Sequence, residues 1–152
     1  MVTYEQAVAT LDADLQEVVA QLHARALSIG YSATPKPAGK KSGSFKLEYR
    51  RKKGEDVLFI SRIAGGKLSV ACKLYNLRQY VELIDGLDTG LRAELLSAKP
   101  CNMESGCTAY IRFNYGGVEY FTCRHTMRLK GVGSGDVNGL WGLLLAEDGC
   151  RG

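Results

Sequence analysis

Two glycine pairs, Gly65-Gly66 and Gly116-Gly117, each stand between runs of alternating apolar and polar residues. A two-residue hairpin turn of the primed type needs positive φ, which glycine supplies without steric strain. Each pair therefore predicts two antiparallel strands in a fixed register. Around Gly65-Gly66, Ile63 faces Leu68, Ser61 faces Val70, Phe59 faces Cys72 and Val57 faces Leu74. That face is nearly all apolar, and a slip of one residue would turn it to water. A preceding strand, in which Phe45, Leu47 and Tyr49 alternate with Lys46, Glu48 and Arg50, completes a three-strand meander.

Around Gly116-Gly117, residues 108–115 pair with 118–125. One face carries Ala109, Ile111, Phe113 and Tyr115 with Val118, Tyr120, Thr122 and Arg124. The other carries Thr108, Tyr110, Arg112 and Asn114 with Glu119, Phe121, Cys123 and His125. Residues 127–132 offer a third strand to this second hairpin.

Helices fill the remainder. Tyr4, Val8, Leu11, Leu15, Val18, Val19, Leu22, Ala26 and Ile29 form one apolar stripe, which predicts a single long helix over residues 3–29. Thr3 and Gln6 form a capping box at its start, and Gly30 ends it. Residues 32–43 hold two prolines and no apolar period, and are expected as a mobile loop. Asn76 is placed to cap a helix over 77–85. A second runs over 89–98 until Lys99-Pro100 stops it. Asp136 caps the last helix, whose stripe is Val137, Leu140, Trp141, Leu144 and Leu145; residues 149–152 are expected as a flexible tail. The order reads as one α+β domain, with helices on one face of an antiparallel sheet built from two β-meanders. At 152 residues a single core needs no covalent staple.

No apolar run approaches the roughly 20 residues needed to span a bilayer, so membrane partners are excluded on this reading. The start lacks a secretory pattern, and an odd count of five cysteines argues for a reducing compartment, so the expected location is the cytoplasm. Net charge is +4, and the whole excess sits in residues 35–53, where eight Lys/Arg meet only Glu48.

Three features carry chemistry. Cys101, Cys107, Cys123 and His125 converge near one end of the second hairpin, a Cys₃His composition suited to structural zinc. Their spacing departs from the usual zinc patterns, and separate thiols or a reactive-thiol site are the competing readings. No cofactor is expected, zinc at these four residues being the one exception the sequence admits. The basic segment 36–53 is a second feature. Lys46 and Arg50 point outward, and Lys36, Lys40, Lys41, Arg51, Lys52 and Lys53 surround them. A solvated strand edge guarded by lysines is favoured there over nucleic-acid contact. The third is the polar-aromatic face of the second hairpin, where Tyr110, Arg112, Glu119 and Phe121 suit orientation of a small molecule or a protein partner.

Catalysis finds little support. His23 lies beside the first helix's apolar stripe, and no carboxylate stands near His125 in sequence to orient it. Cys72 and Trp141 fit the core, and Cys150 reads as an exposed thiol. The leading expectation is a non-enzymatic binding domain. Cys101, Cys107, Tyr110 and the run from Tyr115 to Cys123 resemble a set of small uncharacterised bacterial proteins with a cysteine-containing segment before an aromatic hairpin. That resemblance covers the last third of the chain and implies a shared α+β fold, without an activity.

Overall fold

The computed structural model of the chain describes residues 1–40, 43–98, 110–123 and 127–151. Its fold is α+β, with antiparallel pairing throughout. Five strands form one sheet in the order β1 (Ser32–Pro37), β2 (Phe45–Arg50), β3 (Phe59–Ala64), β4 (Lys67–Cys72), β7 (Met127–Leu129); β5 (Tyr110–Tyr115) and β6 (Val118–Cys123) form a separate hairpin.

Both glycine turns form as the sequence requires. Gly65 and Gly66 have φ of 56° and 74°, and Gly116 and Gly117 have 58° and 79°. The pairs Ile63–Leu68, Ser61–Val70 and Phe59–Cys72 are in register, and all six residues are buried. Val57 leaves this arrangement. It packs with Ile60 and Ala71 on the opposite face, while Leu58 and Phe59 both enter the main core.

The expected long first helix is two helices. α1 (Tyr4–Val8) starts at the Thr3–Gln6 capping box. α2 (Ala13–Ser28) starts afresh at Asp12, whose carboxylate accepts the Leu15 N–H at 2.9 Å. Leu11 and Leu15 keep the apolar stripe continuous across the break, so periodicity alone does not reveal it. Gly30, at φ 90°, closes α2.

Residues 32–37, expected as part of a loop, are the edge strand β1. Ala38 N–H donates to the Ser44 carbonyl at 2.8 Å. Alternation then directs the N–H groups of Lys36 and Thr34 toward β2 and turns the nitrogens of Pro35 and Pro37 outward. Proline is tolerated on that side because its missing donor has no partner to lose there.

The helix expected over 77–85 is two 3₁₀ segments, Leu77–Gln79 and Val81–Gly86; α3 (Thr89–Leu96) follows, capped by Asp88. β7 was expected beside the second hairpin. It instead pairs with β4, Val70 opposite Leu129 and Cys72 opposite Met127. α4 (Val137–Cys150) runs through most of the expected tail. Arg151 beyond it donates to the carbonyls of Val57 at 3.2 Å and Lys73 at 2.8 Å, so the chain is tied down to that residue.

α2, α3 and α4 cover one face of the large sheet. Val18, Val19, Leu22 and Ala26 of α2 meet Leu47, Tyr49, Phe59 and Ile63 of the sheet in one core, with Leu140, Leu143 and Leu144 of α4. Tyr49 stacks on Phe59 with ring centroids 4.3 Å apart. Along β2 the residues of the other face, Lys46, Glu48 and Arg50, are only partly buried.

Candidate functional site

The β5–β6 hairpin lays one face on the protein. Ile111, Phe113 and Thr122 are buried, and the Tyr115 hydroxyl donates to the Asp85 carboxylate. Strand alternation sends Tyr110, Arg112, Asn114, Glu119 and Phe121 to the other face. The register places Arg112 opposite Phe121 and Asn114 opposite Glu119. All four residues singled out from the sequence therefore meet. The Tyr110 and Phe121 rings lie 5.7 Å apart, the Arg112 guanidinium lies 5.1 Å over the Phe121 ring, and its Nε is 3.8 Å from Glu119. Side-chain exposures of 61% for Arg112 and 48% for Glu119 make that ion pair a weak tether.

A groove of about 700 Å³ runs beside β5, lined by Tyr75, Asn76, Arg78, Tyr110, Ile111 and Arg112. Its volume falls within the roughly 300–1,000 Å³ of small-molecule sites. Its far wall is fixed. Tyr75 Oη donates to Asp56 at 2.7 Å, and the Arg151 guanidinium lies 4.9 Å over the Tyr75 ring. The Asn76 amide donates to Glu147 at 3.0 Å. Arg78 is exposed, and among the described residues no carboxylate lies within 4 Å of it.

Of the metal-capable set, Cys101, Cys107 and His125 lie outside the described residues, and Cys123 is described only as the last backbone position of β6, opposite Tyr110. Among the described residues no three of His, Cys, Asp and Glu are placed to share an ion. Cys72 is fully buried, and burial pushes its thiol up to about 12, which makes it inert. Cys150 is exposed. His23 Nδ1 is hydrogen-bonded to Tyr49 Oη at 2.8 Å, and burial lowers its pKa below the ordinary histidine value.

The basic segment divides. Lys36, Lys46 and Arg50 surround Glu48 at 3.7, 3.2 and 2.8 Å. Burial opposes ionisation of Glu48, but the hydrogen bond from Lys46 and the charges of Lys46, Lys36 and Arg50 carry its pKa below the usual carboxylate value. Arg51 turns away: it donates twice to Asp148, at 3.0 and 2.8 Å, and lies 4.9 Å over the Tyr31 ring. Lys40, Lys52 and Lys53 are exposed, and Lys41 lies outside the described residues.

Sequence reasoning missed three cations that join this face. Arg62 projects from β3 between the buried Ser61 and Ile63, and Arg128 and Lys130 alternate with the buried Met127 and Leu129. The alternation was the available signal. It went unread because segments 54–99 and 100–152 each balance to zero charge. Arg62, Arg128 and Lys130 line one groove of about 670 Å³ with Ser69, Leu15 and Phe45.

Compared with family models, curated proteins and solved structures, the chain finds no significant match. Among the described residues no helix is long and apolar enough to cross a membrane.

Proposed function

We propose that the chain is a non-catalytic binding domain whose ligand lies in the β5 groove, against the open face of the hairpin. The ligand class is a small organic anion with a planar or aromatic part. The observation that carries this reading is the placement of Arg112: its guanidinium rests on Phe121 beside Tyr110, and the groove brings Arg78 to the same space. An arginine held over a ring is pre-organised to meet a carboxylate or phosphate, so less freedom is lost on binding. Tyr110 supplies a hydroxyl and a ring edge for the planar part. Glu119 repels an anion placed too far toward the turn, and so sets its position along the strand. His23, the one described imidazole, supports the non-catalytic reading, because its Nδ1 is taken by Tyr49 inside the protein.

The test is calorimetric titration with phenyl phosphate and 4-hydroxybenzoate as probes. Binding at millimolar or tighter affinity is expected for at least one of them. Arg112→Ala should weaken it about tenfold or more, the loss of a charge-assisted hydrogen bond, and Phe121→Leu by a smaller factor. If neither probe binds the wild-type chain, or if Arg112→Ala leaves affinity unchanged, the reading fails.

A further inference from the structure

A line of like charges crosses the face of the large sheet opposite the helices. Lys36 stands opposite Lys46, and Lys46 stands opposite Arg62. Ala38 and Ser44 are a hydrogen-bonded position, so Lys36–Lys46 is one too, and Lys46–Arg62 is the closer, non-bonded kind, with Cα atoms about 4.5 Å apart. Arg62 pairs next with Ser69. Lys130 follows Leu129, the partner of Val70, and so continues the line beside Ser69, with Arg128 one step away opposite Ala71. The line crosses all five strands, about 19 Å at the usual strand spacing.

Like charges set directly across from one another destabilise a sheet. Glu48 relieves Lys36 and Lys46. No described carboxylate forms an ion pair with the side chain of Arg62, Arg128 or Lys130, Glu94 meeting Lys130 only through its backbone N–H, and Arg62 Nε is buried without a hydrogen-bond partner. A guard against edge pairing does not require this arrangement, because β3 is an interior strand. The arrangement disfavours the free protein and favours a complex with a polyanion.

We propose that this face docks the phosphate backbone of a single-stranded nucleic acid. The line of cations matches a chain of regularly spaced negative charges. A single strand can follow the twist of the sheet, whereas a duplex is a stiff rod. A lipid surface fits less well, since Val57, Ile60 and Ala71, the apolar residues of this face, are buried, and the exposed large apolar side chains lie elsewhere. Phe45 is the one described aromatic side chain lining the groove with these cations, too few to stack successive bases, so recognition is independent of sequence. This surface is separate from the β5 groove.

The test uses the full chain and fluorescence anisotropy with labelled 20-nucleotide single strands, dT₂₀ and a mixed-sequence RNA. The four cations of the line and Arg128, less the Glu48 charge, leave about four phosphate contacts, so the slope of log affinity against log salt should be about −2.8. Affinity should fall about 50-fold between 50 and 200 mM NaCl. The two strands should bind within a few-fold of each other. The variant Arg62→Gln/Arg128→Gln/Lys130→Gln should flatten the slope to about −0.7 while its melting temperature stays level or rises, a pairing that a purely structural role would not produce. Arg112→Ala should leave this binding unchanged, which keeps the result independent of the groove. No binding at 50 mM NaCl, or an unaltered slope in the triple variant, would overturn the proposal. So would tighter binding to a 20-base-pair duplex, to polyglutamate or to phosphatidylserine vesicles.

Discussion

Tyr80 donates a 2.6 Å hydrogen bond to Glu147, 67 residues further along the chain. Glu147 is fully buried in α4 and also accepts from the Asn76 backbone at 2.9 Å, the Asn76 amide at 3.0 Å and Arg151 Nε at 3.1 Å. A buried carboxylate is tolerable only when paired and hydrogen-bonded. This one has a cation and three neutral donors, and it joins the last helix to the 3₁₀ segment that forms the groove's far wall.

Glu147→Ala is therefore expected to lower stability by about 3–5 kcal/mol, as Arg151 and Tyr80 lose their shared acceptor. Urea unfolding checks this. A loss below about 1 kcal/mol would mean that water replaces the carboxylate without difficulty.

Gly139 and Gly142 lie on the same helix and should answer alanine substitution in opposite directions. A Cβ at Gly139 would meet the Gly86 carbonyl oxygen, a backbone atom, at 2.4 Å, whereas at Gly142 nothing lies within 4 Å. Gly139→Ala should cost about 1–3 kcal/mol despite better helix propensity. Gly142→Ala should gain about 0.5–1 kcal/mol. Equal effects in denaturant melts would contradict the close approach of α4 to the 3₁₀ segment.

His23 should make stability depend on pH. Burial lowers its pKa in the folded chain, so the unfolded chain, titrating near 6.5, takes up the proton more readily. Stability is then full above that value and declines as pH falls below it toward the folded pKa. His23→Gln, which can still bond Tyr49, should show a shallower drop in melting temperature between pH 7.5 and 5.5. An identical drop in both proteins would place the dependence on other groups.

What the sequence discloses here is local geometry. Gly65-Gly66 and Gly116-Gly117 can be read because a primed turn admits few other residues, and their registers follow. The convergence of Tyr110, Arg112, Glu119 and Phe121 is legible for the same reason, as a product of one turn and strand alternation. Partners distant in sequence are not. β7 carries an alternating Met127-Arg128-Leu129, but nothing in it names β4 over the nearer β6. The break before α2 has a signal, Asp12 as a cap, masked by Leu11 and Leu15 on either side. The cationic line is invisible for the first of these reasons, since Lys36, Lys46, Arg62 and Lys130 become neighbours only when five strands are in order.

The outward nitrogens of Pro35 and Pro37 have a consequence for crowded solutions. A foreign strand approaching the open side of β1 would look for donors at Ala33, Pro35 and Pro37 and find one in three. Recruitment of a sixth strand, the first step toward fibrillar stacking, is blocked by the covalent structure of the chain, independently of the charges around it.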